Sequence, residues 1–246
     1  MIDMSALAGM DARWDVSPID TSTSLSDQVN QLLALSKHNK LIFDRIASRF
    51  EVDTGYGSGD LDNPSLFKNK GRLMKKAQRP SVLKKKPWFT IAHIRDALRI
   101  TTAMPLESFE DSLGLIRAIA AEGITPVQVD FEHMWAPKGD GYRMFAMDLR
   151  MPNGQITEWQ VNFPEMIIAR EINHEIFEKW RDLTDKQRNS PKNREAWLAD
   201  EKDMRERYQS AWSEAVSKSG LDEAAIVASL KSAAASAESM TSWKFS

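Results

Sequence analysis

Two acidic side chains, one tyrosine and a run of cations are where this sequence could do chemistry. Pro137-Lys138-Gly139-Asp140-Gly141-Tyr142-Arg143 reads as a loop that presents an aromatic ring. Pro152-Asn153-Gly154 reads as a hairpin turn, and Thr157-Glu158-Trp159-Gln160-Val161 as the strand that follows it, with one carboxylate among apolar residues. Upstream, Ile94-Arg95-Asp96-Ala97-Leu98-Arg99 holds a lone aspartate. Mg²⁺ commonly takes one or two carboxylates and completes its shell with water and phosphate oxygens, and every nucleobase has a π-face that can stack on an aromatic ring. A carboxylate at Glu158 costs desolvation unless it is exposed, paired or metal-bound. It is therefore an outward strand residue, a metal ligand, or the base that activates an attacking hydroxyl. Gln160, two residues on, shares its face. Each of the others has a plain alternative: a salt-bridge partner or helix cap for Asp96, an edge-strand ring for Tyr142, a core or capping residue for His174.

From Asn63 to Arg95 there is no Asp or Glu, whereas Lys68, Lys70, Arg72, Lys75, Lys76, Arg79, Lys84, Lys85, Lys86 and Arg95 all fall there. Such a segment is either a solvated helix face or a clamp for a polyanion, with Arg offering a bidentate fork and Lys a point charge. Nucleotide phosphates and RNA compete as its partner. The net charge of the chain is only −2, so the whole molecule has no bulk attraction to nucleic acid or to an anionic membrane. Cysteine is absent, which excludes disulfides, thiolate metal sites and cysteine nucleophiles. No apolar run approaches the ~20 residues of a membrane span, and the acidic N-terminal stretch with Asp3, Asp11 and Asp15 does not read as a secretory signal. The expectation is a cytoplasmic protein, of a producing or a target cell, with no membrane partner.

The elements that must position these groups follow from periodicity and punctuation. A helix is expected from Ser24 or Ser26 to about Phe50, with Val29, Leu32, Leu33, Ile42, Phe43, Ile46 and Phe50 as its apolar stripe. Gly55-Tyr56-Gly57-Ser58-Gly59-Asp60 breaks it as a loop without P-loop character. The basic stretch from about Leu66 to Gln78 has helical composition and Pro80 ends it. Strands are expected over Arg99–Ala103 and Val127–Phe131, a helix from Pro105 to Gly123, a hairpin of Tyr142–Arg150 with Thr157–Phe163, and a helix from Pro164 to about Arg181. Two more helices follow Pro191. The fold class is α+β, helices on a small mixed sheet with helical N- and C-terminal extensions. The chain divides into a weakly ordered start over 1–22, a leading helix plus sheet domain over 23–181, and a helical extension over 182–246.

Taken in order, these residues resemble the synthetase domain of RelA/SpoT-homologous proteins, the alarmone synthetases. The family loop reads about Pro-Lys-x-Asn-Gly-Tyr-x-Ser-Leu-His; here it is Pro137-Lys138-Gly139-Asp140-Gly141-Tyr142-Arg143-Met144-Phe145-Ala146. The family strand Glu-Val-Gln-Ile-Arg-Thr corresponds to Glu158-Trp159-Gln160-Val161-Asn162-Phe163, with Met166 in register and Ala169, Glu171, His174, Phe177 and Arg181 fitting the helix beyond. Ile94 and Asp96 fit the family's Ile-x-Asp ahead of the first strand, with Arg99 sooner than usual. The resemblance covers about residues 60–181.

The resemblance implies a nucleotidyltransferase-like fold and transfer of pyrophosphate from ATP to the 3′-hydroxyl of an acceptor nucleotide. It implies that Asp96 and Glu158 hold Mg²⁺, with Glu158 near the attacking hydroxyl, and that Tyr142 stacks on the acceptor base. Lys138, Gln160, Arg143 and His174 would join it around the acceptor, and Lys70, Arg72, Lys75, Lys76 and Arg99 would hold ATP. Met144 and Ala146 stand where the family loop has Ser and His, and Asn162 where the strand has Arg. Those positions lie near the acceptor in the family, so the acceptor stays open between GDP or GTP, an adenosine nucleotide (ADP, ATP or AMP), and the 3′ end of tRNA. No His-Asp hydrolase motif lies upstream, so alarmone breakdown is not implied. A synthetase of this kind resembles small alarmone synthetases and growth-arresting toxins, which brings an antitoxin or immunity protein in as a partner. The remaining alternative is a catalytically inactive nucleotide-binding or phage structural module on the same fold.

Overall fold

Alternation along the strand that carries Glu158 decides the architecture. Trp159 and Val161 are fully buried, and Glu158, Gln160 and Asn162 point to the other side. One sheet face must therefore be covered by helices, while the other carries polar groups. The computed structural model describes residues 16–56, 66–137 and 139–240.

Helix α1 (Leu25–Thr54) starts where Ser24 Oγ accepts from the Asp27 amide, and it ends at Gly55, whose φ of 77° is the left-handed conformation of a C-terminal stop. Helix α2 (Lys70–Ala77) is capped by Asn69, whose side chain accepts from the Arg72 amide. Pro80 does more than end the basic segment: it opens a further short helix, α3 (Pro80–Lys85), at its first position. Strand β1 (Arg99–Ala103) follows, then a 3₁₀ turn over Leu106–Asp111 that leads into α4 (Ser112–Ala121), so the helix expected from Pro105 is split in two. Strand β2 (Thr125–Asp130), strand β3 (Phe145–Arg150) and strand β4 (Ile156–Asn162) complete the sheet. Helix α5 (Pro164–Trp180), a single turn α6 (Asp185–Arg188), α7 (Arg194–Ser219) and α8 (Glu223–Met240) follow.

The strand order is β1-β4-β3-β2. β1 runs parallel to β4, and the other pairs are antiparallel. The α+β reading with a mixed sheet and helices at both ends therefore holds. The apolar face presents Ile100, Val129, Phe145, Met147, Leu149, Trp159 and Val161 to Ile42, Phe43, Ile46 and Phe50 of α1 and to Leu115, Ile116 and Ile119 of α4. The Phe43 and Trp159 rings lie 4.9 Å apart. Trp159 Nε1 donates to Thr102 Oγ1 at 2.9 Å, both groups fully buried. Thr102→Val strands that indole donor and should cost about 1–3 kcal/mol of stability, read from denaturant midpoints at an unchanged m-value.

Two expectations change. Residues 16–22 are not loosely held: Ser17 is buried, its amide donates to Ala92 O at 2.9 Å and its Oγ accepts from the Ile156 amide at 3.1 Å, tying this segment to the start of β4. Residues 1–15 lie outside the described part. Nor is the stretch from 182 onward a mere appendage. Met204, Tyr208, Ala211, Trp212, Ala215, Ile226, Leu230 and Ala237 belong to the same core as the sheet, because α7 and α8 complete the burial that a four-stranded sheet cannot provide alone. No helix among the described residues is long and apolar enough to cross a membrane.

Candidate active site

The polar face is assembled by register. Arg99 pairs with Glu158, and Glu158 with Asp148, across adjacent strands. A bulge between Pro126 and Gln128 takes up one residue of β2 and brings Gln128 opposite Asp148. Arg95 Nη1 donates to Gln128 Oε1 at 3.0 Å and also to Asp148 Oδ2. The bulge thus re-aims one amide to hold a guanidinium beside the acidic cluster.

Asp96 sits just ahead of β1, where Glu158 N donates to Leu98 O at 3.2 Å. Both Asp96 oxygens accept from ammonium groups, Oδ1 from Lys76 Nζ at 2.6 Å and Oδ2 from Lys68 Nζ. Burial works to raise its pKa, but Lys76 and Lys68 outweigh burial and hold Asp96 well below the usual carboxylate range. Asp148 goes the other way. Burial, with the charges of Glu158 and Asp96 added, overcomes Arg95 and pushes it up to about 6. Asp148 therefore feels Glu158, its neighbour across the sheet, and more weakly Asp96.

A measurable pH dependence follows. The native state binds the Asp148 proton more tightly than the unfolded chain, whose Asp titrates near about 3.9. The stability this residue contributes is thus complete below about pH 4 and lost as pH rises through about 6. Asp148→Asn should gain on the wild type by on the order of 2 kcal/mol between pH 4.5 and pH 8 in chelator-containing buffer, seen as converging or crossing melting temperatures. Parallel curves would show that Asp148 is not perturbed.

Further along β4, Gln160 Nε2 donates to Glu158 Oε1 at 2.9 Å, while Gln160 Oε1 accepts from Arg170 Nη1 at 3.3 Å. Asn162 Nδ2 donates to the Tyr142 hydroxyl at 3.1 Å and to Arg143 O at 3.0 Å. Glu158, Gln160 and Asn162 form one row, four residues or about 13 Å from end to end, with acids and lysines at one end and the Tyr142 ring at the other.

The sequence-predicted residues divide accordingly. Asp96, Glu158, Lys76 and Gln160 belong to the row or its acidic end, and Tyr142 to the far end. Arg99 is exposed at the start of β1, close enough to Lys68 to lower that lysine's pKa, though burial is the larger cause. Lys70 is drawn away, its Nζ donating to Asn30 Oδ1 on α1 at 2.9 Å. Lys75 lines a shallow cavity with Gln78, Arg79, Pro80 and Asp182 on another side of α2, and Arg72 lies near Arg181. Lys76, one turn beyond the buried Leu73, reaches Asp96, whereas Lys70, on the same side one turn earlier, turns to α1. Arg143 is taken up in packing, donating to Met134 O at 2.7 Å with its guanidinium 3.9 Å from the Trp212 ring. His174 is half exposed on α5, 3.5 Å from Glu178. Lys138 lies outside the described residues.

Among solved structures, the complex of the Type VI effector Tas1 with its immunity protein matches with a TM-score of 0.50 at 18% identity, over 75% of this chain and 96% of that one. The chain has the fold of Tas1. Small alarmone synthetase 2 from Bacillus subtilis matches with a TM-score of 0.49 at 16% identity, over 78% of this chain and 96% of that one. Small alarmone synthetase 1 from Bacillus subtilis, bound to its product pppGpp, matches with 0.47 at 16% identity, over 77% and 91%. No protein-family model and no curated protein matches the sequence.

On this fold the site contains residues that sequence reasoning passed over. Lys68 precedes the helix, and only the fold turns it onto Asp96. Arg170 stands between Ala169 and Glu171, in a motif whose other members drew the eye, and it brings a guanidinium to Gln160. Burial works against the Arg170 charge, but Tyr142 and Glu171 outweigh it and raise its pKa. Asp148 was visible only as the polar member of an alternating strand.

The donor set suits a hard divalent cation. Mg²⁺ needs no more than one or two carboxylates; Glu158 stands opposite Asp148 in the sheet, and the charges of Glu158 and Asp96 add to the burial that raises the Asp148 pKa. The described residues contain no grouping of three or more acidic or histidine ligands poised for a metal.

Proposed function

We propose that this chain transfers a pyrophosphoryl group from ATP to the 3′-hydroxyl of an acceptor nucleotide, acting as a growth-arresting toxin with a cognate immunity protein. What carries this reading is the polar row of β4, with Glu158 opposite Asp148 at one end, Asp96 and its partners Lys68 and Lys76 just ahead of the neighbouring strand, and Tyr142 at the other end. The alarmone-synthetase motifs in the sequence support the reaction. The Tas1 fold supports the toxin role and the immunity partner.

Asp96 and Glu158 would hold Mg²⁺, which when bound supplies charge neutralisation for phosphate oxygens. The bond that forms joins the acceptor 3′-oxygen to the β-phosphorus of ATP; the bond that breaks joins that phosphorus to the oxygen bridging to the α-phosphate, and AMP leaves. Glu158 takes up the proton of the attacking hydroxyl. Lys68, Lys76, Arg95 and Arg99 surround the triphosphate end and balance its charge, and Tyr142 stacks on the acceptor base. Positioning and charge neutralisation are the main demands of such chemistry, and no covalent nucleophile is needed.

The test is γ-labelled ATP with Mg²⁺ and, separately, GDP, ADP, AMP or tRNA. Labelled mononucleotide supports the proposal and names the acceptor. Label on RNA alone would make the chain a tRNA-modifying enzyme, and no transfer with nucleotide still bound would make it an inactive module. Growth arrest on expression, relieved by Glu158→Gln, is the cellular counterpart.

A further inference from the structure

The tyrosine platform of the acceptor end is not built by its loop alone. Gly141 has a φ of 88°, and a Cβ there would lie 3.5 Å from Tyr208 Cβ and 3.6 Å from Arg205 Cγ, so the loop backbone runs against α7. The Tyr142 and Tyr208 ring centroids are 5.2 Å apart at 54°. Asp140 Oδ1 accepts from the Tyr142 amide at 3.0 Å, and Asn162 reaches the Tyr142 hydroxyl. Tyr142 is thus fixed at its backbone, at its hydroxyl and along one flank, and the flank belongs to the C-terminal extension. α7 is itself locked to α5: Asn173 Nδ2 donates to Met204 O at 3.2 Å, and Arg207 Nη1 donates to Asn173 Oδ1 at 3.0 Å. Tyr208 is buried, and its hydroxyl stays protonated: burial pushes the phenol up to about 12.

We infer that Tyr208 is a positioning residue for the acceptor: it braces the Tyr142 ring as a rigid stacking surface and thereby makes α7 part of the binding site for a nucleoside phosphate. This rests on the acceptor reading given above. A preorganised ring loses little conformational freedom when a base stacks on it, whereas a ring that must be ordered at binding loses part of the stacking gain. Remote chemistry at Glu158 is not touched by this change.

The experiment compares the full chain with Tyr208→Leu, which keeps apolar volume, and Tyr208→Phe, which keeps the ring. Equilibrium dialysis with labelled ADP and with labelled GDP, without ATP, gives acceptor affinity directly, and steady-state kinetics give KM and kcat. Tyr208→Leu should weaken the preferred acceptor by about tenfold, with the KM for ATP and kcat within about twofold, and Tyr208→Phe should match the wild type. In a Tyr142→Ala background, Tyr208→Leu should have no further effect on the acceptor, because it acts through that ring. Equal acceptor affinity in the wild type and Tyr208→Leu, or a loss shared equally with ATP, overturns this inference alone. Wild-type protein that binds none of ADP, GDP and, in the same dialysis, AMP overturns the mononucleotide acceptor reading and this inference with it.

Discussion

Glu158→Gln should lower the pyrophosphoryl-transfer rate by about 10²–10⁴-fold, the range for loss of a positioned general base, while leaving the melting temperature close to that of the wild type. The two halves of this expectation come from different facts. Gln is isosteric, and its carbonyl can still accept from Gln160 Nε2, so the row along β4 keeps its hydrogen bonding. What vanishes is one negative charge that would both hold a cation and take up a proton. A third readout separates this from general damage. Glu158 is one of the charges that raise the Asp148 pKa, so Glu158→Gln should move the Asp148 titration downward from about 6, measurable by carboxyl NMR. Wild-type rates in the variant would show that the site is misassigned. An unchanged Asp148 titration would show that the two carboxylates do not share a region.

How much of this arrangement the sequence announced depends on the kind of signal. β1 could be placed to the residue, and α5 and the hairpin nearly so, because Pro164, the Pro-Asn-Gly turn and strict alternation are local punctuation. Glu158 and Asp96 stand out in the sequence for a related reason: a carboxylate in an apolar setting has to be accounted for. The cations were not legible in the same way. Every lysine in the 68–86 segment looks alike by composition, and which of them meets Asp96 depends on the phase of an eight-residue helix and the cap at Asn69. Lys76 reaches Asp96, Lys70 about one and a half turns earlier is held by Asn30 of α1, and Lys75 lines the cavity on another side. The β2 bulge, which brings Gln128 to Arg95, leaves no mark that alternation could reveal. The part played by α7 in the Tyr142 platform is a contact across 66 positions, between Tyr142 and Tyr208, and no local pattern encodes such a pairing.

Asp96 gives the second large effect, and it differs in kind from Glu158. Its side chain is the shared counter-ion of Lys68 and Lys76, whose side chains are only 21% and 24% exposed. Asp96→Asn keeps the shape but leaves two half-buried ammonium groups without their anion. Removing one member of a fully buried pair costs about 3–5 kcal/mol; partial exposure discounts that here to roughly 2–3 kcal/mol at pH 7. The pH dependence fixes the sign. The native pKa of Asp96 lies below its unfolded value, so its contribution is present above about pH 4 and lost as pH falls toward the native value. The stability gap between wild type and variant should therefore close on acidification. Asp96→Asn should also abolish transfer. The pair Asp96→Asn with Lys68→Met tells the two roles apart: removing one of the two stranded cations should recover about half of the lost stability and none of the activity. If activity returned together with stability, Asp96 would matter only as a structural anion, and the metal site would have to be sought around Glu158 and Asp148 instead.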